Sequence, residues 1–304
     1  MAESLIKGVS DTAFMVAAWR AAESERPDAL FRDPFAARLA GEHGRAIVAS
    51  LHRGFLGGWQ VVIRTAIIDG MIQQAVAAGV DTIVNLGAGL DARPYRMELP
   101  ETLRWIEVDY PHVINWKADK LADERPRCRL EHVRLDLADL AARRALFTDL
   151  GAASKRILIL TEGVIPYLTT EAVGALADDL KTLRNGNIDS DLSWIVDYFS
   201  PETMRYRKRI AAGRQMRAVP FQFEPAHWFA FFAERGWTLA EMRYLADEAV
   251  RRRRRMPLPF LVRLMVKIRR LLSGGKGDGL QRYAGYALLK PIEDESKRVE
   301  DAHA

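Results

Sequence analysis

The residues of this 304-residue chain that could do chemistry are carboxylates standing at the ends of short apolar runs. Val84-Asn85-Leu86 runs directly into Gly87-Ala88-Gly89-Leu90-Asp91-Ala92, a strand followed by Gly-x-Gly-x-x-Ala. Glycine is required where a backbone turns tightly and passes close to a ligand, because a Cβ would occupy the ligand's volume. Trp105-Ile106-Glu107-Val108 ends in Asp109, twenty positions after Gly89. A carboxylate at the tip of the neighbouring strand can accept hydrogen bonds from both ribose hydroxyls of an adenine nucleoside. The plainer role for Asp109 is to cap the helix that Pro111 opens. Leu135-Asp136-Leu137 ends a third run. There Asp136 could accept from an adenine's exocyclic amine while the Leu137 amide donates to a ring nitrogen, or Asp136 could simply cap the helix beyond Ala138. Glu162 follows Ile157 to Thr161 at a fourth tip. It must meet a cation or solvent, since burying an isolated carboxylate costs several kcal/mol.

Two cofactor classes contain such a nucleoside. A nicotinamide dinucleotide brings a pyrophosphate, and Asp91, Asp109, Asp136 and Glu162 are poor company for it. S-adenosyl-L-methionine brings a carboxylate, an ammonium and a sulfonium, and suits acidic strand tips better. An NAD(P)-dependent oxidoreductase therefore stands as the alternative to a methyltransferase. Hydrolase signatures are missing: there is no Gly-x-Ser-x-Gly elbow and no His-Glu-x-x-His, and no Ser or Thr follows Lys276 in the glycine-rich Ser273 to Gly277. The histidines form no motif and suggest no metal site; His227 alone stands in an aromatic setting late in the chain.

The elements that must position these residues follow from periodicity. Apolar residues at helical spacing predict helices over Asp11–Ser24, Asp33–Ala40 and Gly58–Ala78, with Asp11 and Asp33 as N-caps. Strands are predicted at Thr82–Leu86, Leu103–Val108, Arg129–Leu135, Arg156–Thr161 and Leu192–Phe199, with helices at Pro111–Ala122, Asp139–Leu150 and Thr170–Leu183 between them. That alternation predicts an α/β fold with a doubly wound, mostly parallel sheet, seven-stranded once Trp237–Tyr244 and Tyr283–Leu289 close it as an antiparallel pair. The division expected is a helical cap over 1–80, a Rossmann-like domain over 81–290 carrying a basic insertion at 246–280, and a charged tail over 291–304.

Composition narrows the partners. The chain is 49% apolar and 28% charged with a net charge of +5, which excludes disorder. Nine basic and no acidic residues lie between Arg251 and Leu272, so the rest carries −4, the formal +5 less those nine. Charge gathered in one segment does not suit nucleic acid, which asks for a basic docking face. Phe260, Leu261, Leu264, Met265, Ile268, Leu271 and Leu272 share a helical face opposite Arg263, Lys267 and Arg270. Residues 251–272 could thus lie on an anionic membrane, or pack on the domain with the arginines solvated. A single cysteine, Cys128, and the lack of a signal peptide or an 18-residue apolar run fit a cytoplasmic protein. Nothing in the sequence signals an oligomeric state.

Taken in order, Ser10-Asp11-Thr12-Ala13, Arg64-Thr65 with Ile68-Asp69, Val84 to Tyr95 (VNLGAGLDARPY), Glu107 to Pro111, Asp136-Leu137 and Thr161 to Val164 resemble the leucine carboxyl methyltransferase family. The family includes carboxyl O-methyltransferases of polyketide synthesis. The resemblance covers roughly residues 8–245 plus the Arg282 to Leu289 strand. It implies the class I methyltransferase fold and S-adenosyl-L-methionine as cofactor. It also implies that Arg64 binds the cofactor carboxylate, Gly87, Ala88 and Gly89 let the backbone pass the methionine, and Asp109 holds the ribose. Asp136 and Leu137 would hold the adenine, and Glu162 the amino-acid end. All of these bind cofactor; no residue is identified as catalytic. The chain departs from leucine carboxyl methyltransferases in having apolar Phe14-Met15-Val16 where they place a lysine, and from many relatives in having Ala92 in place of Thr.

The implied reaction is O-methylation of a small-molecule carboxylate, which is ionised at neutral pH and needs no general base. The acceptor's pocket is expected between the N-terminal helices and the 200–235 region. Tyr198, Tyr206, Phe221, Phe223, Trp228, Phe229 and Phe232 there suggest an apolar or aromatic acid.

Overall fold

The computed structural model describes residues 5–51, 56–184, 191–204, 219–257 and 282–293. Its seven strands are β1 (Thr82–Leu86), β2 (Arg104–Asp109), β3 (Arg129–Arg134), β4 (Arg156–Thr161), β5 (Asp191–Phe199), β6 (Trp237–Tyr244) and β7 (Ala284–Pro291). They form one sheet in the order β3-β2-β1-β4-β5-β7-β6. The first five are parallel, and β7 inserts antiparallel between β5 and β6. The strand order reverses between β1 and β4, which opens a crevice at the carboxyl ends of those strands. The fold is therefore the expected doubly wound, Rossmann-like α/β architecture.

Alternation along each strand sends side chains to two faces. On one face Val84, Ile106, Ile159, Trp194 and Val196 pack against α6 (Leu140–Ala153), α7 (Thr170–Lys181) and α8 (Trp228–Ala233) through Phe147, Leu176, Leu180 and Phe232. On the other, Ile83, Trp105, Leu158, Leu160 and Ile195 pack against α3 (Gly57–Ala77) and α9 (Leu245–Arg251). Ile63, Ile67, Ile68 and Ile72 form the buried stripe of α3, which makes this helix a sheet-covering element as well as the carrier of Arg64. The helices α1 (Val9–Ser24) and α2 (Ala36–Ser50) pack on Leu90, Ala92 and Tyr95 after β1, and on Val113 of α5 (Pro111–Lys120). They cover the glycine loop.

Local details differ from the sequence expectations for identifiable reasons. Asp11 lies inside α1, where its carboxylate accepts from the Lys7 and Gly8 amides at 2.8 and 3.0 Å. Gly8 takes the N-cap position. Asp33 is drawn into an ion pair with Arg20 at 3.1 Å, and α2 starts three residues later. The arginine run is partly tied to the body. Arg252 donates to the Ala66 carbonyl at 2.9 Å, and Arg254 pairs with Glu23 at 2.5 Å and Asp28 at 3.1 Å. Most of the expected amphipathic segment, 258–272, and the tail from 294 lie outside the described residues. Among the described residues no helix is long and apolar enough to cross a membrane.

Candidate functional site

The glycine loop turns because two of its residues take the left-handed conformation: φ is +65° at Gly87 and +52° at Gly89. Space is short as well. A Cβ on Gly87 would stand 2.5 Å from Val164 Cγ2, so the loops after β1 and β4 meet at this point. The Gly87 and Ala88 amides donate to the Val108 carbonyl at 2.8 and 3.2 Å, which seats the loop on the end of β2. The Gly89 amide then donates to Asp109 Oδ2 at 2.6 Å, and the Tyr110 amide to Oδ1 at 2.7 Å. Asp109 thus faces the glycine loop. Burial raises its carboxyl above the ordinary value in spite of these two bonds.

Across the crevice, Arg64 of α3 and Glu162 after β4 come together, with Arg64 Nε 2.9 Å from Glu162 Oε1. Arg93, at the start of α4 (Arg93–Arg96), joins from the glycine-loop side, its Nη1 donating to Glu162 Oε2 at 2.7 Å. Arg93 also pairs with Asp91 at 2.7 Å and Asp69 at 2.6 Å, and Arg96 with Asp69 at 2.8 Å. Burial opposes every charge in this network, yet the partners prevail. Arg93 and then Arg64 hold Glu162 below the ordinary carboxylate value, and Arg93, Arg20 and Lys117 hold Asp91 well below it. Lys117 pairs with Glu107 at 2.6 Å, both fully buried, and donates to the Asp91 carbonyl at 2.9 Å. The glycine loop therefore rests on a rigid charged base.

One feature of the network asks for a ligand. Arg64 Nε and Glu162 Oε1 are buried and within ion-pairing distance, but neither has an aligned hydrogen bond. The pair is not sealed off, since 20% of the Arg64 side chain and 10% of the Glu162 side chain stay exposed, so a cationic donor and an anionic acceptor stand side by side within reach of a ligand. A zwitterionic amino-acid moiety supplies the two matching groups, a carboxylate for Arg64 and an ammonium for Glu162. The residues present fit the amino-acid end of S-adenosyl-L-methionine. Among the described residues no group of His, Cys, Asp and Glu could hold a metal ion.

The structure brings Arg64 and Glu162 together, and Gly87, Ala88 and Gly89 together with Asp109. Asp136 stands one strand further along, exposed, with its carboxylate accepting from the Ala138 amide at 2.9 Å. This is a local turn; the N-cap of α6 is Asp139. Tyr110 reaches Asp136 from the end of β2, and so links it to Asp109. Leu137 is half-buried, with its carbonyl accepting from Arg143 at 2.8 Å.

A cavity of about 230 Å³ is lined by Ile165, Asp197, Phe199, Phe223 and Trp228 among others, and its Asp197 accepts from the amide of Gly163, the residue after Glu162. Phe223 and Trp228 were among the aromatic residues expected there. Both also belong to the core beneath α8, together with Tyr198 and Phe232, which do not line the cavity, and Tyr206 lies outside the described residues. His227 is exposed at the N-terminus of α8. Sequence reasoning missed Arg93, Asp197 and Tyr286. Arg93 follows directly on the glycine loop, a position where a cation could have been suspected. Asp197 and Tyr286 lie inside strands, and only the pairing of β5 with β7 joins them.

The leucine carboxyl methyltransferase family description matches residues 13–181. This is more than half of the chain, which belongs to that family. Two curated proteins, from Streptomyces coelicolor and Mycolicibacterium smegmatis, both bear the name "putative S-adenosyl-L-methionine-dependent methyltransferase". They are 38% identical over 181 residues and 33% identical over 222 residues. The first match takes in 56% of this chain and 63% of that protein, so the chain spans less than two thirds of that relative's length. The second takes in 66% and 72%. In architecture the chain is similar to the crystal structure of a DUF574 family protein from Streptomyces avermitilis, with a TM-score of 0.55 at 16% identity, over 91% of this chain and 97% of that one.

Proposed function

We propose that the protein binds S-adenosyl-L-methionine and transfers its methyl group to an oxygen of a small acceptor with an apolar or aromatic body. The observation that carries this is the ion pair of Arg64 and Glu162, largely buried but with 20% and 10% of the side chains still exposed, beside a glycine loop whose Gly89 amide donates to Asp109. Arg64 would take the cofactor carboxylate, Glu162 its ammonium, and Asp109 the ribose. Asp136 and Leu137 would flank the adenine. When bound, the cofactor supplies a methyl group on a sulfonium, open to in-line displacement. The chain's own residues orient that group, and α1 and α2 cover the glycine loop against water.

For the acceptor oxygen, the family description supports a carboxylate, and among the described residues no histidine lines the cavity. A neutral hydroxyl is the second reading, favoured by one observation: the cavity is walled by the buried carboxylate of Asp197, which the Gly163 amide next to Glu162 holds. The single cysteine, Cys128, is buried and free, which supports a reducing, cytoplasmic setting. Calorimetry tests the cofactor. S-adenosyl-L-homocysteine should bind and NADH should not; NADH binding with no response to the homocysteine derivative would replace the methyltransferase by an oxidoreductase.

A further inference from the structure

Asp197 sits in β5 directly opposite Tyr286 of β7, and the Tyr286 hydroxyl donates to Asp197 Oδ1 at 2.7 Å. The Gly163 amide, next in the chain to Glu162, donates to Oδ1 and Oδ2 at 3.1 and 2.9 Å. The carboxylate is therefore anchored between the amino-acid end of the cofactor site and the 230 Å³ cavity whose wall it forms. An ionised carboxylate accepts about four hydrogen bonds, so these donors leave Oδ2 with capacity to spare. The lining also includes the aromatic Phe223 and Trp228, and the buried Trp228 Nε1 has no hydrogen-bond partner.

The charge of this wall decides what it accepts. Glu224, which is exposed, also lines the cavity, so an acceptor carboxylate would enter between one buried and one solvated acidic side chain, with the buried Asp197 the costlier neighbour. A neutral hydroxyl would instead donate to Asp197, while its aromatic body met Phe223 and Trp228. We propose that the second of the two acceptor readings holds for this cavity: Asp197 is the catalytic residue that takes a proton from a neutral phenolic hydroxyl seated there, so the acceptor is a phenol rather than the carboxylate that the family description suggests. In the step, the hydroxyl oxygen forms a bond to the methyl carbon and the carbon–sulfur bond breaks. The bonding pair returns to sulfur as a neutral thioether, and the hydroxyl proton goes to Asp197 Oδ2 and later to solvent. This inference rests on the methyl-donor reading of the neighbouring site.

The balance of forces on Asp197 suits the role. Burial pushes its carboxyl up to about 6, and Glu162 adds to the rise, while the Tyr286 hydroxyl, Arg64 and the Gly163 amide restrain it. A base is most effective when it titrates near the working pH. Tyr286 is then a positioning residue.

The test uses 2-naphthol and 2-naphthoic acid as probes with labelled S-adenosyl-L-methionine, and calorimetry of S-adenosyl-L-homocysteine alongside. The wild type should methylate 2-naphthol at least about tenfold faster than 2-naphthoate, with a rate that rises with pH through about 6. Asp197→Asn should lose about a hundredfold or more of that rate while homocysteine-derivative affinity stays within about threefold. Tyr286→Phe should move the midpoint of the pH profile upward, because it removes a bond that favours the ionised form. Faster methylation of 2-naphthoate overturns the proposal. So does an Asp197→Asn variant that loses cofactor affinity tenfold with its transfer rate unchanged, since Asp197 would then be an ammonium partner. A second arm needs no acceptor: carbon-13 NMR of labelled aspartate in the S-adenosyl-L-homocysteine complex, assigned by difference from Asp197→Asn. A carboxyl titrating near neutrality supports the role, and one still ionised at about pH 4 overturns it. If the homocysteine derivative fails to bind the wild type, the cofactor reading itself is at fault.

Discussion

Replacing Glu162 by Gln separates the charge of this side chain from its shape. The isosteric amide leaves Arg93 with Asp91 and Asp69 at 2.7 and 2.6 Å, while Arg64 loses the carboxylate 2.9 Å from its Nε. Removing a partner from a fully buried pair costs about 3–5 kcal/mol. Here Arg93 keeps two carboxylates, so the expected loss of stability is smaller, about 1–3 kcal/mol. Cofactor affinity should change by the worth of a charge-assisted hydrogen bond to the ammonium, about 1.5–3 kcal/mol, or roughly 10- to 150-fold in Kd. The pH dependence carries a sign of its own. Burial opposes the charge on Glu162, but Arg93 and Arg64 hold its folded value below the ordinary 4.5. Its stabilisation is therefore complete above about 4.5 and is lost as pH falls through the lowered folded value. The Gln variant should show a flatter acid limb in urea unfolding between about pH 3 and 5. Calorimetry with S-adenosyl-L-homocysteine at pH 7.5 measures the affinity. A Kd within twofold of wild type would refute the placement of Glu162 against the ammonium.

Two further substitutions probe the glycine-loop side. Asp109→Asn keeps an acceptor for the Gly89 amide but removes the charge offered to the ribose, so S-adenosyl-L-homocysteine should bind about tenfold or more weakly; an unchanged Kd takes Asp109 out of the site. Gly87→Ala meets both a left-handed φ of +65° and a 2.5 Å approach to Val164 Cγ2. These cost about 1–2 and 1–3 kcal/mol respectively. Adding Val164→Ala should recover the steric part alone in urea unfolding; full recovery would show that the backbone conformation carries no cost.

Much of the framework was legible because it rests on local patterns. The bounds of β1, β4 and β6 coincide with the apolar runs that announce them, and the glycine loop stands directly after β1 as its spacing requires. Asp11 and Asp33 were harder to read. An acidic residue before a helix suits an N-cap, but Lys7 and Gly8 in one case and Arg20 in the other compete for the carboxylate. The aromatic residues after β5 were legible as a group, yet their periodicity could not say which of them line a cavity and which, like Phe232, fill the core.

By itself the sequence determined the alternation of strand and helix, the turn at Gly87 and Gly89, and the acidic residues waiting at the strand tips. Each of these depends on residues within a few positions of one another, where sterics and periodicity act directly. The tertiary structure alone decided that β7 enters between β5 and β6, so that Tyr286 meets Asp197 across 89 positions of chain. It also decided that Arg93 joins Asp69, Asp91 and Glu162 into one charged base. A period of two assigns a side chain to a face of the sheet. It does not name the neighbouring strand, which is settled by the packing of the whole core.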